Sequence, residues 1–196
     1  MRIVVNNNVS LDGVMQAPGG SEEDTRGGFA HGGWATKPSQ DPEIMEAMSA
    51  GLADPGPLLF GRRTYEQFHS YWPHQTGNPF TEALNNATKY VASRTLSEPL
   101  PWENSVLLEG DAADAVAKLK EEPGKDVVVL GSGELVRSLL ARRLIDRFVL
   151  LIHPVVLGSG RRMFPSGGER ADLRLVDTVT AARSGVVIAT YEAQTV

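Results

Sequence analysis

The chain has 196 residues, 41% of them apolar, which suffices for one domain with a sizeable core and is short for two. Its 19 Lys+Arg against 24 Asp+Glu leave a net charge of −5, so the broad basic face that a phosphate backbone demands is missing, and nucleic acid is excluded as the expected partner. The absence of cysteine removes disulfides, thiolate nucleophiles and cysteine-ligated metals, and no apolar run approaches the roughly 18 residues of a bilayer span. With no apolar signal core after Met1, these features predict a single cytoplasmic domain over residues 1–196 that engages neither membrane nor nucleic acid.

Arg2 to Val9 is β-rich but ends in three asparagines, an unusual strand composition that points to a polar function there. Gln16 to Gln40 holds six glycines and two prolines with only Phe29 and Trp34 as large apolar residues, the make-up of a functional flap or a disordered segment. Asp41-Pro42 then supplies an N-cap and a first-turn proline, and Ile44, Met45, Met48 and Leu52 fall on one stripe of a helix. Pro57 to Phe60 reads as a strand that turns through Gly61 into a helix carrying Tyr65 and Phe68. A short helix from Asn78, a strand over Lys89 to Ser93 and another over Val106 to Leu108 follow. Asp111 caps a helix ended by Pro123-Gly124, and Asp126 to Leu130 is an apolar strand, central in the sheet, turned by Gly131-Ser132-Gly133 into a helix from Glu134 to about Arg142. The last third is strands alone: Asp146 to His153 continued by Val155 to Leu157, then Leu173 to Val176 and Gly185 to Tyr191. Alternating strands and helices followed by a β-meander predict an α/β fold with a mixed, mostly parallel sheet, an antiparallel C-terminal part, and helices on both faces.

One device occurs twice, an apolar strand running into glycine and then a helix: Leu58-Leu-Phe-Gly61-Arg62-Arg63-Thr64 and Val127-Val-Val-Leu-Gly131-Ser132-Gly133-Glu134. Free amides at a helix start, backed by the positive end of the dipole, attract anions, and glycine lets a phosphate approach. Ser93-Arg94-Thr95, after a third strand, adds two hydroxyls and a guanidinium. Three such loops suggest a nucleotide laid across strand ends. A Rossmann fingerprint fails because Val136 stands where its third glycine belongs, and neither a P-loop lysine motif nor a Gly-x-Ser-x-Gly elbow is present. Of the four histidines only His69 and His74 are near neighbours, with Pro73 between them, so no metal site is expected.

In their order along the chain, Val9-Ser-Leu-Asp-Gly13, Leu59-Phe-Gly-Arg-Arg-Thr-Tyr65, Val91-Ala-Ser-Arg-Thr95, Val129-Leu-Gly-Ser-Gly-Glu-Leu135 and His153-Pro-Val-Val-Leu-Gly-Ser-Gly-Arg161 resemble the dihydrofolate reductase-like superfamily. The nearer resemblance is to stand-alone proteins similar to the C-terminal reductase domain of the bifunctional riboflavin-biosynthesis deaminase-reductase. It implies a three-layer fold around a sheet of about eight strands, with NADPH lying across it. By that resemblance Gly61, Arg62, Arg63 and Thr64 sit on the 2′-phosphate and pyrophosphate side, and Ser93, Arg94 and Thr95 border the 2′-phosphate. Gly131, Ser132, Gly133, Glu134 and Leu135 wrap the pyrophosphate, while Asn8, through its backbone, and Asp12 to Met15 flank the nicotinamide.

An acidic residue on the first helix serves folate-reducing members; here that register falls at Met45, beside Glu43 and Glu46. Asp12 and Glu46 are therefore the candidate proton-handling residues, and Met45 lines the substrate pocket. Trp34, Tyr65, Tyr71 and Trp72 could furnish an aromatic wall for a planar substrate; aromatic residues on a helix more often build core, which is the preferred reading for Tyr65 and Phe68, whereas Trp34 on the glycine-rich stretch is preferred as pocket. The expected activity is NADPH-dependent hydride transfer to a small heterocyclic or carbonyl substrate, riboflavin-pathway pyrimidine or pterin-like, by a homodimer. The alternative is a non-catalytic NADPH-binding sensor of the same fold.

Overall fold

The computed structural model describes residues 1–52 and 56–194. Eight strands form one mixed sheet in the order β4-β3-β2-β5-β1-β6-β8-β7, with five α-helices around it. They are β1 (Ile3–Ser10), α1 (Pro42–Leu52), β2 (Leu58–Gly61), α2 (Arg62–Tyr71), α3 (Pro79–Asn86), β3 (Lys89–Ala92), β4 (Ser105–Leu108), α4 (Ala112–Glu121), β5 (Val127–Leu130), α5 (Gly133–Ala141), β6 (Arg147–His153), β7 (Leu173–Thr180) and β8 (Val187–Ala193). Two compact units divide the chain. One comprises Met1–Val4 and Gly51–Asp146, the other Val5–Ala50 and Arg147–Val196.

In the first unit β2 pairs in parallel with both β3 and β5, and β3 with β4. The apolar β5 lies inside the sheet, as its Val-Val-Val-Leu composition predicts, and Val127 and Val129 are fully buried. Leu58, Phe60, Tyr65, Leu84, Val91 and Trp102 form the core beside it, with Phe68 and Trp72 packed against them. Two helices begin on side-chain caps, since the Asn78 carboxamide accepts from the Phe80 amide and the Asp111 carboxylate from those of Ala113 and Asp114. The ammonium of Lys89 is fully buried. It donates to the carbonyls of Leu84, Asn85 and Ala87 at the end of α3, at 2.8 to 3.0 Å, and lies 4.6 Å from the Trp102 ring centre.

In the second unit β6, β8 and β7 pair antiparallel, with a bulge between Leu175 and Asp177. Ile44 of α1 packs on Leu151, Ala181, Val186 and Ile188 of this meander. Asp41 precedes the helix as the sequence predicts, and its carboxylate accepts the amides of Glu43 and Ser184 at 3.3 and 2.8 Å. The side chains of Met48 and Leu52, placed on the same stripe, lie outside the described residues. Strand β6 stops at His153, so the predicted continuation over Val155 to Leu157 is a loop. Pro154 cannot donate to a ladder, and the Leu157 amide turns to the Asp12 carboxylate.

The glycine-rich stretch Gln16 to Gln40 is ordered around its own small core. Val14, Ala17 and Phe29 are buried together, with Trp34 and Leu157 against them. The Gln16 carboxamide donates to the carbonyls of Asp24 and Arg26 and accepts the Arg161 amide, while the Gln16 carbonyl accepts the Trp34 indole N–H. Glycine is needed at Gly32, where a Cβ would stand 2.6 Å from the carbonyl oxygens of Gly20 and Ser21.

Candidate functional site

The first unit brings together the two strand-glycine-helix turns. The Gly61 amide donates to the Ser132 hydroxyl at 2.8 Å, and that hydroxyl donates to the Leu130 carbonyl. In return the Ser132 amide donates to the Thr64 hydroxyl at 3.1 Å. The hydroxyls of Thr64 and Ser132, both placed on the cofactor by the resemblance, thus clamp one turn to the other. Ser132 is in the left-handed region at φ 58°, as is Gly131 at φ 59°, where a Cβ would lie 2.9 Å from Thr64 Cγ2.

The clamp leaves the helix starts bare. Neither Gly61 before α2 nor Ser132 before α5 caps its helix with a side chain, in contrast to Asn78 and Asp111. The first turns of α2 and α5 therefore keep orphan amides. Helix α2 also opens on two arginines with no acid in its first turn, a placement that opposes the macrodipole at about 0.3–1 kcal/mol per charge and that a bound anion would relieve. Arg62 pairs with Glu66 at 3.0 Å, one turn on, whereas the exposed Arg63 and Arg94 form no ion pair among the described residues. Ser93 turns its hydroxyl to the amides of Thr95 and Leu96, so it shapes its own loop and leaves Arg94 as that loop's projecting group. Glu134 is exposed and paired with Arg137, and the Leu135 side chain is buried, so the α5 turn offers backbone to a ligand rather than side chains.

Tyr65 and Trp72, placed against substrate from the sequence, are built into the first unit's aromatic core. Tyr65 is 1% exposed, and its hydroxyl accepts the Trp102 amide at 3.0 Å. Trp72 packs half-buried on Phe68 and Phe80 with ring centres 6.2 and 6.3 Å apart. In both cases helical spacing turns the ring toward the sheet.

The second unit collects another set. Asp12 accepts the Ser10 hydroxyl at 2.7 Å and the amides of Leu157 and Gly158 at 3.1 and 3.0 Å, with the Arg162 guanidinium at 3.4 Å. The Ser10 hydroxyl and those amides hold its carboxyl well below the usual carboxylate range. A carboxylate kept ionised in this way is a poor proton donor; Asp12 pins the loop after β1 to the loop after β6. Met45 and Glu46 lie on the exposed side of α1, Met45 at 51%.

Sequence reasoning missed His153. Its ring is 1% exposed, its Nε2 lies 2.8 Å from the Asn8 carboxamide oxygen, and Nδ1 is buried with no partner among the described residues. Burial pushes its pKa from 6.5 down to about 4, so the ring is neutral. Trp34 stands edge-on to it, ring centres 5.1 Å apart, and this contact with the Gln16 hydrogen bond fixes the indole. The only sequence signal was a histidine closing an apolar strand beside a proline. No group of His, Asp and Glu among the described residues could hold a metal ion, and none of their helices is long and apolar enough to cross a membrane.

A profile of the RibD C-terminal domain family matches residues 2–188. The uncharacterized protein YyaP of Bacillus subtilis (strain 168) is 30% identical over 195 residues, covering 97% of this chain and 94% of its own. The uncharacterized YwjB of the same organism is 34% identical over 121 residues, 62% of this chain and 65% of its own. A crystal structure of a Shewanella sp. PV-4 protein, provisionally assigned to riboflavin biosynthesis, superposes with a TM-score of 0.75 at 20% identity over the full length of both chains, and shares the fold.

Proposed function

The chain belongs to the RibD C-terminal domain family, and on that premise we propose that it is an NADPH-dependent reductase acting on a small heterocyclic or carbonyl substrate. The observation that carries the reading is the pair of uncapped helix starts, α2 and α5, clamped by Ser132 and accompanied by Arg63 and Arg94, which form no ion pair among the described residues. Elsewhere in the same unit Asn78 and Asp111 satisfy helix starts from within the chain. At α2 and α5 the orphan amides and the cations fit a pyrophosphate and a phosphomonoester. The amides of Arg62 and Arg63 and of Gly133, Glu134 and Leu135 would hold the pyrophosphate, and Arg63 and Arg94 the 2′-phosphate. Arginine suits that last task because its charge is permanent and its fork matches the phosphate oxygens.

NADPH, when bound, supplies a hydride; the protein binds and orients. Reduction of a carbonyl or imine also consumes a proton, which in this reading comes from water, since Asp12 is committed to its loop contacts. The family assignment favours a riboflavin-pathway pyrimidine or a pterin-like ring as acceptor.

The test is to titrate the chain with NADPH by nicotinamide fluorescence and then follow oxidation of the cofactor with pterins, flavin precursors and quinones. Saturable binding with oxidation by at least one acceptor is expected. A chain that does not bind NADPH sinks the proposal, and binding without turnover across the panel would make it a cofactor sensor.

A further inference from the structure

The second unit contains a hydrogen-bond chain that the reductase reading does not use. Asn8 Oδ1 carries no proton, so the 2.8 Å bond to His153 Nε2 requires the ring proton to sit on Nε2. The 1% exposure of the ring and the bare, buried Nδ1 both fit a neutral Nε2–H tautomer. Ring rotation is blocked on one side by the Trp34 edge, itself tied to the Gln16 carbonyl. The tautomer in turn sets the carboxamide of Asn8. Its oxygen faces inward to His153, and its Nδ2 must face the other way. Asn8 is half-exposed at the C-terminal part of β1, and Nδ2 has no partner among the described residues.

We propose that Asn8 Nδ2 is a binding donor for a carbonyl oxygen carried on a heteroaromatic ring, and that His153 is the positioning residue that keeps this donor facing outward. That the ligand offers an acceptor follows from the group presented; that the acceptor is carried on a heteroaromatic ring rests on the reductase reading. An amide held with only its N–H groups free selects an acceptor and rejects a ring amine at the same place, because two donors cannot pair. The carboxamide carbonyl of a nicotinamide and a ring carbonyl of a pyrimidinone or pteridinone share that chemistry. The assignment of either to this chain rests on the reductase reading; the donor geometry does not.

The experiment has a ligand-free arm and a binding arm. In the ligand-free chain, ring nitrogen NMR should show His153 with a protonated Nε2 and an unprotonated Nδ1; a proton on Nδ1 overturns the proposal. The binding arm compares wild type with Asn8→Leu, His153→Leu and His153→Gln, using three probes: NADPH, its thionicotinamide analogue, whose sulfur is a weak acceptor, and the pteridinedione lumazine. Loss of one neutral hydrogen bond corresponds to about a tenfold weaker affinity. Asn8→Leu and His153→Leu should each weaken one carbonyl probe about tenfold. His153→Gln, whose amide N–H can replace the Nε2 donor, should stay within about threefold of wild type on the same scale. If NADPH is the probe affected, the thionicotinamide analogue should be insensitive to Asn8→Leu, which assigns the acceptor to the cofactor; if lumazine is affected, the acceptor belongs to the substrate. Unchanged affinities in Asn8→Leu alongside NADPH binding by wild type refute this inference and leave the reductase reading standing. Asn8-dependent lumazine binding without NADPH binding does the reverse. Binding of none of the probes by wild type defeats both.

Discussion

His153 should make this protein lose stability in mild acid, because its imidazole is buried in the folded chain. In the unfolded chain the imidazole titrates near 6.5, and in the folded chain burial pushes it down to about 4. The folded-state value is the depressed one, so the unfolded state binds the proton first as pH falls. The stabilisation is present in full above pH 6.5, declines through the interval, and is gone once pH falls through about 4. At 1.36 kcal/mol per unit this amounts to about 3 kcal/mol, a large share of a typical margin. Titrating carboxylates also contribute across this range, so the measurement is a difference. Urea unfolding of wild type and His153→Gln is followed at half-unit steps from pH 7.5 to 4, and the two free energies are subtracted at each pH. Glutamine keeps the N–H toward Asn8 and cannot take up a proton. The difference should change by about 3 kcal/mol in favour of the variant between neutral pH and pH 4. Parallel curves would mean that His153 binds its proton equally well folded and unfolded. The desolvation that keeps the folded ring neutral below pH 6.5 would then be absent.

Lys89→Met removes three hydrogen bonds at the end of α3 and leaves its carbonyls without their ammonium, for an expected loss of about 3 kcal/mol in chemical denaturation; a loss under about 1 kcal/mol would show that water replaces the cation freely. Gly131→Ala should cost about 1–2 kcal/mol for its left-handed backbone and more for the approach to Thr64, and should weaken NADPH by disturbing the clamp. The control is Gly77→Ala, at φ 69° with open space around the new methyl, which should show the backbone penalty alone and normal cofactor affinity. Arg63→Ala and Arg94→Ala should each weaken NADPH about tenfold while NADH changes little, and Arg62→Ala should do less because Glu66 already holds that guanidinium; equal losses for both cofactors would move the 2′-phosphate elsewhere.

Those elements of the fold that arise from local chemistry were legible in the sequence. Asp111 caps α4 because a carboxylate there meets two amides within three residues, and the Asp41-Pro42 pair starts α1 for a similar reason. The apolar β5 announces an interior strand, and glycine at 61 and 131 marks the turns into α2 and α5. Parity on a helix was harder. Tyr65 is one residue past a ligand-binding motif and reads as an extension of it, yet the next position on a helix is rotated by about 100°, and this one faces the core.

Side-chain roles in the candidate site were legible only where partners are near in sequence, and the partners that redefine it are distant. Asp12 carries the proton-transfer signature of an acid beside a predicted nicotinamide, and no local pattern distinguishes that from its actual duty to amides 145 residues away at Leu157. The same separation divides Asn8 from His153. A histidine ending a strand is uninformative until the ring is seen to be neutral, dry and aimed at a carboxamide, at which point its proton decides which atom of Asn8 faces a ligand. The run of asparagines in β1, odd as strand composition, is the one local trace of this arrangement. Asparagine is depleted in strands, and here the carboxamide of Asn8 keeps an Nδ2 donor with no partner among the described residues.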